Sequence, residues 1–357
     1  MLGKKLIQAA AKNVGGPTPS EPTDVAVAHS GSPYISVYPF STSTGFGTKY
    51  ADPSTLLPGN GLYVAFSPSN NDILVGHTGT PRVSAYPFTS GTGFGTKYAN
   101  AANPSFGSGD GVAWHPSEDA VAVTTGSGNG CFVYSFTSGT GFGTIYASPS
   151  TVPTSGERVA FSHSGNDIAV TQFTTSPYLS VYPFSVSTGW GTKYSDPSTG
   201  ALTTATVGVA WSPNDDALAV GWNSGNSVRA WAFTSGTGFG SQYTDPGGSV
   251  GGICQGVDFA HNGNDIIAAR DTSSSSLHAW PWSSSTGFGT KYASPSVEPD
   301  RPYNCEFAGT DTHIVMGLLN SPYVKVISFT SGTGFGSYVS DPSTLPAGSS
   351  RCAVFTN

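Results

Sequence analysis

Charge is scarce in this chain. Only 10% of its 357 residues are Asp, Glu, Lys or Arg, against about 25% in an ordinary soluble domain. The net charge is −7, a poor match for a phosphate backbone, so no nucleic-acid partner is expected. Cysteine is scarce too. Cys131, Cys254, Cys305 and Cys352 form no C-x-x-C pair and no zinc spacing, and read as four free thiols, mostly on strands. Apolar runs of about 18 residues are missing, so no segment reads as a membrane span. Apolar spacing of three and four is missing as well, which excludes a helical solenoid. The P-loop, H-E-x-x-H and sialidase Asp-box signatures do not occur. No cofactor, no metal and no enzymatic activity are therefore expected.

What the chain has instead is glycine, proline and aromatics. There are 47 Gly and 26 Pro, and 12% of residues are Phe, Trp or Tyr. Disordered chains are poor in aromatics, so this composition favours ordered β-structure with many tight turns. One phrase, "FTSGTGFGTKY" at Phe88 to Tyr98, recurs with small changes. The aromatic of its "TGFG" falls at Phe46, Phe94, Phe142, Trp190, Phe239, Phe288 and Phe335, at intervals of 47 to 49 residues. Each interval holds four short segments bounded by Gly, Pro, Asn, Asp or Ser, as in "YVAFSP", "DILVG", "RVSAYPF" and "GFGTKY". Four short strands per repeat predict a propeller blade. The first repeat lacks its opening strand, and the missing piece stands at the other end as "CAVF", Cys352 to Phe355. The fold class expected is all-β: a seven-bladed propeller over residues 21–357, closed by the C-terminal strand joining the N-terminal blade, which removes exposed edges.

The run "VAFSPSNNDILVG" followed by "RVSAYPF" resembles the first three strands of a WD-repeat blade. That resemblance implies the propeller architecture. It does not imply the family's histidine–aspartate network, because the Trp-Asp and Gly-His signatures are absent here. The recurrent Asp24, Asp72, Asp119, Asp167, Asp216 and Asp265 are expected to bond turn amides.

A residue repeated around a ring builds the ring, so function is sought where the repeats disagree. Loops joining strands two to three, and blade to blade, share one face of a propeller and vary here; binding sites favour such loops. Candidate binding residues on that face are Phe106, Phe173, Trp222, His29, His77 and Arg270, with the aromatics expected to be exposed. Asp258 and Glu306 occupy one first-strand position in adjacent blades, where the others carry Ala or Val. They are expected near the central channel, either as a cation site or acid/base pair with split protonation or as two polar residues wetting the channel.

Residues 1–20 differ in kind. Leu2, Lys4, Lys5, Leu6 and Ile7 open a short amphipathic stretch, and "PTPSEPT" follows as a spacer. The leader "LGKKLIQAAA" together with "GFGTKYADPST" repeats resembles virion proteins of tailed, often marine, bacteriophages. The resemblance implies a particle-borne structural protein, docked to other virion proteins through residues 1–20, with the propeller displayed towards a host surface polysaccharide as a tail or fibre component. A capsid decoration protein, a secreted or cell-surface lectin and an intracellular assembly scaffold are the alternatives.

Overall fold

A unit of about 48 residues with four short apolar strands cannot bury both its faces alone, and stacking on its neighbours solves this. The computed structural model describes residues 20–102, 107–174, 176–223, 228–247 and 252–356. The expected docking residues Leu2, Lys4, Lys5, Leu6 and Ile7 lie outside the described residues, as does Phe106. Among the described residues, 28 strands form seven four-stranded antiparallel sheets, and there is no helix. The architecture is a seven-bladed β-propeller.

Blade 2 is typical. It runs β4 (Gly61–Phe66), β5 (Asp72–His77), β6 (Val83–Thr89) and β7 (Gly93–Phe94), in that order from the axis outward. Ring closure follows the expectation. β28 (Ser350–Phe355) pairs antiparallel with β1 (Asp24–His29), Val27 facing Ala353, and completes blade 1 with β2 (Ile35–Ser41) and β3 (Gly45–Phe46).

The outermost strand has two lengths, and one residue explains both. Blades 1, 2, 4 and 6 carry Pro39, Pro87, Pro183 and Pro281 in their third strand, and their fourth strand is two residues long. Pro87 O accepts from Gly95 N at 2.8 Å, but proline has no N–H to return, so the ladder stops. Ser135, Ala232 and Ser328 stand there in blades 3, 5 and 7, whose fourth strands reach five residues.

The repeated phrase belongs to the scaffold. Phe88 makes edge contacts with Tyr50 of the preceding blade (5.5 Å between ring centroids), Phe66 (5.4 Å) and Phe94 (5.9 Å). Such pairs add roughly 0.5–1.5 kcal/mol each beyond area burial. Gly141 in the third blade's hairpin has φ +95°, and a Cβ there would lie 2.8 Å from Tyr98 Cβ. Only glycine admits both the turn and the neighbouring ring.

The recurrent aspartates do not chiefly bond turn amides. Tyr50, Tyr98, Tyr194 and Tyr292 donate to Asp24, Asp72, Asp167 and Asp265 at 2.6–2.7 Å. Each tyrosine oxygen also accepts a glycine N–H from the next blade at 2.8–2.9 Å. The tyrosine ending one blade therefore ties that blade's second strand to its neighbour's outer hairpin. The likeness to WD-repeat proteins extends to the architecture and no further.

Candidate active site

Alternation along the first strands decides what faces the axis. Phe66, Trp114, Phe161, Trp211, Phe259, Phe307 and Phe355 turn into the blades and are buried. The residues before them, Ala65, Ala113, Ala160, Ala210, Asp258, Glu306 and Val354, line the channel. Five small or apolar side chains leave a cavity of about 300 Å³ in which the two carboxyls stand side by side. The expectation that Asp258 and Glu306 meet at the channel holds.

Each carboxyl is tied to the next blade. Asp258 Oδ2 accepts from Phe307 N at 2.8 Å, and Glu306 Oε1 from Phe355 N at 3.0 Å. Burial pushes Asp258 up to about 6. Glu306 is held well above the ordinary carboxyl range, first by burial and then by the charge of Asp258. Burial thus favours the protonated form of both carboxyls, and the charge of Asp258 adds to this at Glu306.

Two histidine–aspartate pairs flank the mouth, in the hairpins after the first strands. Asp311 Oδ1 accepts from the His261 backbone N–H at 2.7 Å and lies 3.1 Å from its ring Nδ1; Asp311 Oδ2 accepts from Asn262 N at 2.9 Å. Burial opposes the protonated imidazole, but the Asp311 bond and the Asp258 charge outweigh it and raise His261. Asp215 grips His163 and Ser164 in the same way, accepting at 2.7 and 2.8 Å. His163 and Pro68, both hairpin residues, line the cavity. The cavity thus opens on the face of the monotonous hairpins, opposite the variable loops.

Two residues deeper, the channel is blocked. Arg158 lies with its guanidinium carbon 4.7 Å from the centroid of the Tyr63 ring, and its Nη1 donates to Asp110 O at 3.2 Å and to Glu157 Oε1 at 3.1 Å. Beside it, Asn304 donates to Ala353 O and accepts from Gly317 N and Ala353 N. This septum separates the carboxyl cavity from a second cavity, of about 320 Å³, at the variable-loop mouth.

The variable-face candidates are not drawn together: His29, His77, Phe173, Trp222 and Arg270 fall in five different blades. Phe173 is exposed, as expected, at 48%. Trp222 is not: it is 6% exposed, with the Arg229 guanidinium 4.5 Å over its ring. His29 and His77 are not surface ligands. Both end second strands, are wholly buried, and bond Ser36 and Ser84 through Nε2 at 3.0 Å. The second strand lies between two strands of its own blade and two neighbouring blades, so burial pushes both imidazoles down to about 4. Arg270 is half-buried and donates to Ser275 O at 2.7 Å.

Sequence reasoning missed Arg158, Tyr63 and the histidine–aspartate pairs. Arg158 could have been found: it occupies a channel-facing position where three other blades have Gly. The four cysteines are free, as expected, and all four are buried. Among the described residues no group of three or more His, Cys, Asp or Glu is placed to hold a metal ion. The sequence also holds one Gly-x-Ser-x-Gly stretch, Gly247 to Gly251. Its residues 248–251 lie outside the described residues.

No protein-family model matches the chain, and no curated protein does. Solved structures do. A protein of Bacteroides uniformis described as a candidate 6-phosphogluconolactonase has a TM-score of 0.71 at 14% identity, over 94% of this chain and 100% of its own. One of the same description from Bacteroides fragilis has 0.72 at 12%, over 95% and 99%. The periplasmic gluconolactonase of Pseudomonas aeruginosa has 0.67 at 14%, over 94% and 99%. At these identities the likeness is one of fold. It corrects two expectations nonetheless. These propellers, which cover 94–95% of this chain, are named as lactonases and none as a phage particle protein, so the virion reading and the expected lack of enzymatic activity are both set aside.

Proposed function

We propose that the protein is a hydrolase of small cyclic esters, acting in the cavity of Asp258 and Glu306. The observation that carries this is the placement of two carboxyls, each held by a backbone N–H of the next blade, in one cavity of the channel, where burial raises both above the ordinary carboxyl range. The fold neighbours named as lactonases support the same class.

The chemistry proposed uses Asp258 as the carboxylate and Glu306, the more strongly raised of the two, as the acid. A water beside Asp258 gives its proton to the carboxylate as its oxygen attacks the ester carbonyl carbon. The carbonyl oxygen gains negative charge, which the Glu306 carboxylic acid stabilises by hydrogen bonding. As the tetrahedral carbon re-forms its carbonyl, the bond to the ring oxygen breaks and that oxygen takes the Glu306 proton. The product is an open-chain hydroxy acid, and proton transfer between the carboxyls and solvent resets the pair. His261, oriented by Asp311, stands behind Asp258 as the route for that exchange. The cavity lining includes two carboxyls and no Lys or Arg. A phosphorylated lactone would meet repulsion there, so the reading is for an uncharged lactone.

The test is hydrolysis of glucono-δ-lactone by the full chain, followed by base uptake at constant pH. Asp258→Asn should lower kcat about 100-fold or more. A wild-type rate equal to the spontaneous one would remove the proposal, as would an Asp258→Asn variant of wild-type rate.

A further inference from the structure

The second cavity, at the variable-loop mouth, is unused by the reaction just described. Its lining includes Ser30, Asn60, Thr78, Ser349, Asp110 and Arg351. These come from the blade-to-blade loops, the ends of second strands and the starts of first strands, where the repeats differ most. At the first-strand position that opens this mouth, the seven blades carry Leu62, Asp110, Glu157, Val207, Gln255, Tyr303 and Arg351. Nothing about building the ring requires such a set.

Arg351 is the unusual member. The chain has six arginines, all within the described residues. Arg158, Arg229 and Arg301 pair with carboxylates, and Arg82 and Arg270 donate to backbone carbonyls. Arg351 makes no hydrogen bond or ion pair among the described residues; its guanidinium carbon lies 5.2 Å from the centroid of the Tyr303 ring. The ring restrains the planar fork while every N–H stays free, the state in which a guanidinium takes a carboxylate two-pronged. The hydroxyls of Ser30, Thr78 and Ser349 and the amide of Asn60 likewise make no side-chain hydrogen bond among the described residues. Asp110 lies beside them, its Oδ1 accepting from Ser108 Oγ at 2.6 Å and its carboxylate also bonded by the Gly126 backbone N–H. Leu62 and Leu319 form an apolar flank.

We infer that this mouth is a binding site for a small polyhydroxylated carboxylate, its carboxylate on Arg351 and its hydroxyls on Asn60, Thr78, Ser349 and Asp110. A neutral sugar would leave the guanidinium without a counter-charge, and a simple fatty acid would leave four hydrogen-bonding groups facing hydrocarbon. The product of lactone hydrolysis belongs to the same ligand class. The two cavities share no lining residue, so this site stands whether or not the reaction does.

Calorimetric titration of the full chain with sodium gluconate, sorbitol and sodium propionate tests it. Gluconate should bind, with sorbitol and propionate each much weaker. Arg351→Gln, at an exposed side chain, should weaken gluconate roughly tenfold to a hundredfold, and Asn60→Ala severalfold. Asp258→Asn, in the other cavity, should leave the affinity unchanged. The inference is overturned by silence with gluconate, by an Arg351→Gln variant of wild-type affinity, or by sorbitol binding as well as gluconate. Loss of binding in Asp258→Asn would place gluconate at the opposite mouth and overturn it equally.

Discussion

Tyr98 donates its hydroxyl proton to Asp72 Oδ1 at 2.6 Å, and its oxygen accepts the Gly139 N–H of the next blade at 2.9 Å. The aspartate lies on a wholly buried second strand, and its other carboxylate oxygen has no protein partner. One hydroxyl therefore bonds a buried acid and ties together two blades.

Tyr98→Phe should lower unfolding free energy by roughly 1.5–3 kcal/mol, the range for a hydrogen bond to a charged group with a buried partner left behind. Tyr146→Phe is the matched comparison, because its hydroxyl donates only to the neutral Val186 O and should cost about 1 kcal/mol. Urea unfolding of both variants measures the difference; equal losses would mean the aspartate contributes nothing.

His29 and His77 predict acid sensitivity. Their folded pKa of about 4 lies below the ordinary 6.5 because burial disfavours the charged ring. The unfolded chain thus binds the extra protons first, and stability is lost as pH falls from about 6.5 to about 4, by up to about 3 kcal/mol per histidine. Blade 4 supplies the remedy: Gln172 stands at the equivalent position and donates to Ser180 Oγ at 3.1 Å. A His29→Gln, His77→Gln double variant should show a flatter fall in melting temperature over that window.

Asp258 and Glu306 act in the opposite direction. Their folded pKa values are raised, so the folded chain holds protons that the unfolded chain releases, and their contribution falls as pH rises from about 4 through the folded values. Asp258→Asn should therefore gain stability over wild type at pH 8 relative to pH 4.5, by roughly 1–3 kcal/mol. Melting curves at the two pH values decide the sign.

If the proposed reaction holds, the same pair should set the pH dependence of turnover. Activity should rise with pH through about 6, as Asp258 loses its proton, and fall where Glu306 finally ionises. Glu306→Gln should abolish the high-pH fall while lowering kcat. A profile flat from pH 5 to 9 would separate these carboxyls from the reaction.

The carboxyl pair was half legible. That Asp258 and Glu306 share a position 48 residues apart placed them together once the period was known. Which mouth they face was not: binding was sought among the variable loops, whereas the pair opens on the side of the repeated hairpins. Trp222 illustrates the difficulty. A tryptophan beside a variable loop reads as exposed, yet Arg229, on the adjacent strand of its blade, covers the ring.

By itself, the sequence determined the period, the number of blades and the closing strand. These depend on turn residues and alternation, which act over a few neighbouring positions and recur seven times. Only the tertiary structure decided what happens between blades. The tyrosine–aspartate ties, the burial of His29 and His77 and the septum of Arg158 on Tyr63 join residues tens of positions apart. Their geometry comes from the angle at which one blade meets the next. That angle also raises the carboxyls of Asp258 and Glu306, because it brings two acids into one small cavity with little water to solvate them.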